Sequence, residues 1–202
     1  MSAAVNMREI RPENLDAHVA AVLRGECPPG GTEQGLHVHV NPFKLPVIRL
    51  GVELVPQPLW GTSIARRYPR QWAKLRRGCY RAAGYRCEIC GGRGLRHPVE
   101  AHERWRYEDD GERGVQTLDG LIALCPACHA TKHLARSRKV GGERYYARLV
   151  MHFVAVNEWD EQFSGPLSIG AALDGYLAAL DAEWRRRSEL PWTQDLSRVL
   201  GG

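Results

Sequence analysis

The sequence predicts an α+β fold gathered around a four-cysteine metal knuckle. Three observations support this. Cys87-Glu88-Ile89-Cys90 and Cys125-Pro126-Ala127-Cys128 are two CxxC pairs widely separated in the chain. Short stretches with strand-like alternation and longer stretches with helical periodicity surround them. The hydrophobic fraction is 44% over 202 residues, ordinary for one large globular domain or two small ones. Residues 1–65 read as an N-terminal helix-plus-strand region and 66–140 as a basic helix followed by the metal core. Residues 141–202 read as a C-terminal helical region packed on that core.

Four thiolates give Zn²⁺ a closed tetrahedral shell, and each two-residue gap turns tightly enough to aim both sulfurs at the ion. A closed shell has no place for substrate, so a zinc on Cys87, Cys90, Cys125 and Cys128 is structural. Disulfides or four unrelated buried thiols are the other readings of these residues. A second constellation shares the stretch. His129 and His133 are four residues apart and would share one helix face, and His102 could meet them from a preceding strand. Three imidazoles could hold a second divalent metal and leave positions open for water and a phosphate oxygen.

These residues resemble the HNH endonucleases. The family pattern runs CxxC, then Glu-x-(Asp or His)-His, then Asn-Leu-x-x-Leu-Cys-x-x-Cys-His-x-x-x-His. Glu100-Ala101-His102-Glu103 sits on its first half, and Gly120-Leu121-Ile122-Ala123-Leu124-Cys125, continuing to His129 and His133, on its second. The resemblance covers about a quarter of the chain. It implies a ββα-metal core, metal-dependent hydrolysis of phosphodiester bonds in DNA, and a second ion such as Mg²⁺, Mn²⁺, Ni²⁺ or Zn²⁺. The unit would comprise strands at Pro98 to Trp105 and Leu118 to Leu124 and a helix from Cys128 to about Ser137. Two positions depart from the pattern: Glu103 stands where the family has its general-base His, and Gly120 where it has the Asn that positions that base. Glu103 is therefore the candidate base, beside His102 and His129 in the catalytic set. An extra metal ligand or a structural hydrogen-bonding group are its other readings. The alternative function is a degenerate HNH fold retained as a zinc-stabilised module that binds nucleic acid or a protein partner.

The net charge is +5, and ten Lys or Arg against two Glu fall between residues 61 and 100. Such a basic block beside the metal motif suits nucleic acid, double-stranded DNA in the HNH reading. No run of about 18 apolar residues offers a membrane span. Met1 to Asn6 lacks the layout of a signal peptide. Six cysteines, four in a metal pattern, fit a reducing cytoplasm. Cys27 and Cys79 have no partner motif, and Cys79 reads as a small buried apolar residue.

Taken in order, Arg11-Pro12-Glu13 opens a helix with Leu15, Val19, Val22 and Leu23 as its stripe and Gly25 as its stop. Leu36 to Val40 alternates as a strand, with His37 and His39 on one face, and Pro46 to Val55 gives a second strand-like stretch. Pro69 to Ala83 is a helix stopped by Gly84. Trp72, Leu75, Cys79 and Ala83 share one side, and Arg70, Lys74, Arg77 and Arg81 line the other as candidate phosphate contacts. The acidic stretch 108–114 reads as a solvated loop. Gly142 to Asn157 and Leu167 to Ser188 read as helices with apolar stripes. His152 reads as a helix-surface or satisfied core residue, and Arg185, Arg186 and Arg187 complement their helix dipole. The tail from Pro191 docks through Trp192 and Leu196.

Overall fold

The computed structural model describes residues 48–159 and 166–200. The helix from Pro12, the strand Leu36 to Val40 with His37 and His39, and Cys27 lie outside the described residues. The elements are α1 (Ile64–Arg67), α2 (Pro69–Ala82), β1 (Glu100–Asp109), β2 (Gly114–Leu124) and α3 (Pro126–Lys132). They continue as α4 (Leu134–Val156), α5 (Pro166–Ser188), β3 (Trp192–Asp195) and α6 (Ser197–Leu200). The fold is α+β: a hairpin followed by helices, as the sequence predicts.

β1 and β2 pair antiparallel from Glu100 opposite Leu124 to Asp109 opposite Gly114. The register shifts between Arg104 and Trp105, which pair with Gly120 and Leu118, so Asp119 is the extra residue of a bulge. The hairpin is longer than expected at its tip. Glu108 and Asp109 belong to the strand because Arg186 grips Asp109 through two contacts of 2.8 Å from α5. Only 110–113 turn, with Asp110 Oδ1 accepting from the backbone of Glu112 and Arg113 at 2.9 Å each.

The tail does more than dock, since β3 adds to the sheet parallel to β2, with Trp192 opposite Gly114 and Asp195 opposite Thr117. Glycine is required at 114, where a Cβ would lie 2.5 Å from the Trp192 ring. Trp192 also meets Tyr107 edge-on at 5.6 Å and donates to Arg187 O at 2.8 Å.

Of the strand-like stretch Pro46 to Val55, the described residues from 48 onward form no strand of the sheet. Over the described residues 48–56 the chain is irregular, and side chains satisfy its backbone where a neighbouring strand would otherwise do so. Asn157 Oδ1 accepts from Arg49 N (2.7 Å) and Leu50 N (2.9 Å), and its Nδ2 donates to Leu50 O. Val52 N donates to the Tyr176 hydroxyl at 2.8 Å, and Glu53 N to Lys132 O at 2.8 Å.

This segment threads between two apolar clusters. One gathers Val52 of the segment with Leu134, Leu149, Phe153, Trp159, Leu173, Tyr176 and Ala179 from further along the chain. The other gathers Leu50, Cys87, Leu124, Cys125 and Cys128 around the knuckle. α4 breaks at Gly142, whose φ of 71° ends one helical segment before the next begins. α2 lies on the surface with no fully buried residue. Its apolar side is half-buried, and Arg70, Lys74, Arg77 and Arg81 are exposed.

Candidate metal centres

The knuckle is built by two tight turns. Cys87 N donates to Gly92 O and Gly91 N to Cys87 O, both at 2.9 Å, with Gly91 at φ 73°. Gly92 N and Cys128 N each approach a sulfur at 3.4 Å, that of Cys90 and Cys125 respectively. The turn is tied to β2, because Glu88 N donates to Ala123 O (2.9 Å) and Ala123 N to Glu88 Oε2 (2.6 Å).

The four sulfurs lie within 4.8 Å of one another. Cys90 and Cys125 are 3.6 Å apart, sulfur to sulfur. A disulfide would need about 2.05 Å, whereas ligands about 2.3 Å from a tetrahedral zinc sit roughly 3.8 Å apart. The cysteines are unbridged, and the spacing fits zinc. Electrostatics agree. Contacts from Cys125 and Cys128 lower the Cys87 thiol, while Cys125 and Cys87 push that of Cys128 far up. Bare sulfurs cannot all ionise together, and a divalent cation removes that conflict. His152 reaches in from α4, its Nε2 3.2 Å from Cys128 Sγ. It is thus placed to support a ligand rather than to stand idle on the helix surface.

The second cluster lies where β1 meets α3. His102, His129 and His133 each offer a ring nitrogen within 4.8 Å of the others, and their ring centroids are 5.1–5.2 Å apart. His133 is not on the same helix as His129. It ends α3 with φ −103° and ψ 43°, yet its N still donates to His129 O at 3.4 Å, so the four-residue spacing holds.

Two carboxylates set the tautomers. His102 Nε2 meets Glu53 Oε2 at 2.8 Å, and His129 Nδ1 meets Glu100 Oε2. Burial would raise the Glu53 carboxyl, but the His102 hydrogen bond and Lys132, 2.6 Å away, outweigh it and bring it to about 2. An anionic Glu53 only accepts, so His102 donates to it from Nε2, and Nδ1 is the ring nitrogen left for a metal. Burial, reinforced by the neighbouring histidines, lowers His133 to about 4, leaving a neutral imidazole fit to bind metal.

Glu103 follows a different course. Glu103 Oε1 accepts from Ile64 N (2.7 Å) and Ala65 N (3.3 Å) at the start of α1, and its Oε2 accepts from Trp105 Nε1 (2.9 Å). Gly120 has open space where a side chain would project, but its φ is 147°. His102, Glu103, His129 and His133 all border one cavity of about 840 Å³.

Glu53, Lys132, His152 and the partner role of Glu100 were not anticipated from sequence. Glu100 carried a signal, being two residues from His102 on the same strand face. Glu53 carried none, since it lies 49 residues from His102 in an irregular segment.

Comparison with family models, curated proteins and solved structures finds no match to this chain. The site is therefore read from its own residues: a four-cysteine cluster compatible with zinc and a three-histidine group able to hold a second metal.

Proposed function

We propose that the protein is an HNH-like, metal-dependent endonuclease that hydrolyses phosphodiester bonds in DNA. The observation that carries this reading is the convergence of His102, His129 and His133 at the wall of a large cavity, outside the closed four-cysteine knuckle. A structural zinc knuckle has no need of three further imidazoles, two of them held by their own carboxylates. The three histidines would hold a divalent ion, which when bound supplies Lewis-acid stabilisation of charge on a phosphate.

Glu53 and Glu100 fix the tautomers of His102 and His129. Glu103 borders the cavity and is the residue proposed to take a proton from the attacking water, using a lone pair its three donors leave free. Arg70, Lys74, Arg77 and Arg81 have no ion-pair partner among the described residues and would hold the duplex backbone. Among the described residues no helix is long and apolar enough to cross a membrane. Free thiols around a structural zinc suit a reducing cytoplasm.

One observation favours a second reading. Glu103 already serves as a hydrogen-bonding anchor for α1, which fits a zinc-stabilised binding module that has lost its base. His129→Ala separates the two. In the nuclease it removes the second metal equivalent and plasmid nicking with Mn²⁺, Ni²⁺, Zn²⁺ or Mg²⁺ while the knuckle zinc stays. A wild type that binds one metal and cuts nothing would leave the binding module.

A further inference from the structure

The cavity beside the histidines is lined by Trp60, Trp72, Trp105 and Trp184. Four of the six tryptophans in the chain thus share one hollow, where a phosphate site alone would need none. Three of their polar edges are already held. Trp60 Nε1 and Trp184 Nε1 both donate to Val55 O at 2.8 Å, and Trp105 Nε1 to Glu103 at 2.9 Å. What these indoles offer a ligand is ring face. Trp60 and Trp184 lie nearly parallel, with centroids 6.3 Å apart and planes 23° from each other, and Trp60 is 63% exposed.

Charges of both signs line the hollow, and two of its cations have no carboxylate partner among the described residues. Its three carboxylates are engaged: Glu53 by Lys132 and His102, Glu103 by its three donors, and Asp181 by Arg185. Arg136 and Lys139, which also line it, are exposed and have no carboxylate partner among the described residues. An aromatic hollow with unmatched cations and a metal-binding wall is complementary to a planar base joined to a phosphate. About 840 Å³ falls within the usual range for a small-molecule pocket. Bases within an intact duplex are stacked and cannot enter it.

We infer that the tryptophan-lined cavity receives an unpaired nucleobase, so that the substrate is single-stranded or locally unpaired nucleic acid with its neighbouring phosphate at the three-histidine site. This rests on the nuclease reading and refines its substrate class. Stacking on indole is sequence-tolerant, so little base preference is expected.

The test uses the zinc-loaded full chain and three probes: a short mixed-sequence single strand, its blunt duplex, and that duplex with one bulged nucleotide. Anisotropy gives affinity, and intrinsic tryptophan fluorescence reports stacking. The single strand and the bulge should bind about tenfold or more tighter than the blunt duplex, within the range for one stacked base, and quench the fluorescence. Trp60→Ala should remove most of that preference and leave blunt-duplex affinity unchanged, whereas Trp60→Phe should retain it. Equal affinity for all three probes without quenching overturns the inference, as does a Trp60→Ala variant that weakens all three alike. Cleavage is scored separately. Cutting with no preference for the unpaired probes sinks the cavity assignment alone, while retained preference with no cutting under any metal sinks the nuclease reading alone.

Discussion

Glu103 was legible in the sequence as a carboxylate at a catalytic position, but its surroundings were not. Two of its three donors come from Ile64 and Ala65, in a segment whose approach no local pattern announces. The two roles can be separated by experiment. Glu103→Gln keeps one acceptor oxygen but places an amide N–H against Trp105 Nε1, so two donors face each other. We expect a loss of about 1 kcal/mol, read as a lower Tm, together with a 10²–10⁴-fold loss of cleavage if the carboxylate is the base. A lower Tm with undiminished cleavage would confine Glu103 to its structural role. Gly120→Asn is not a simple restoration of the family residue. There is room for the side chain, but the φ of 147° adds strain on the order of 1–3 kcal/mol.

The hairpin shows why element boundaries are hard to read from sequence. Glu108 and Asp109 look like loop residues until the chain returns from α5 with Arg186 and Arg187. The hydrogen bond from Arg186, helped by the charges of both arginines and opposed only by partial burial, lowers the Asp109 carboxyl below its ordinary value. A depressed carboxylate adds stability above its unfolded pKa, and that stability is lost as pH falls through the folded one. Asp109→Asn should therefore lower Tm at neutral pH, by about 2–4 °C for each kcal/mol of destabilisation in a protein of this size. The gap from wild type should close as pH drops below about 3.8. A gap independent of pH would assign the effect to packing. α2 was the opposite case, readable from periodicity alone because its basic face is exposed and has no ion-pair partner among the described residues. Neutralising Arg70, Lys74, Arg77 and Arg81 together should weaken duplex binding at every sequence. It should also flatten the log–log salt slope by about 0.9 for each phosphate left unneutralised. An unchanged slope would mark these charges as merely solvated.

Over the whole molecule, the knuckle was the most legible feature because its ligands are local pairs, and the irregular segment 48–56 the least, because the partners that fasten its backbone are distant. The four cysteines converge beside a core cluster that joins three of them to Leu50 and Leu124, so metal and apolar burial stand or fall together. Structural zinc contributes on the order of 10 kcal/mol or more of apparent binding free energy in small domains, comparable to the whole stability of a typical domain. Cys125→Ser, or a strong chelator, should abolish the cooperative melting transition and leave partly unfolded or insoluble protein. A soluble, metal-free variant melting like wild type would refute the site.

The segment 48–56 has a consequence for the order in which the molecule is made. Glu53 reaches His102 from a backbone that is fastened by Asn157 and Tyr176, residues far downstream. A chain emerging from the ribosome presents Glu53 early and all three histidines by residue 133. Lys132 can meet Glu53 by then, through its carbonyl and its ammonium group, but the backbone leading into Glu53 is fastened only when α4 and α5 have followed. The three-histidine group therefore gains its full support only when the C-terminal helices close over the segment that began it.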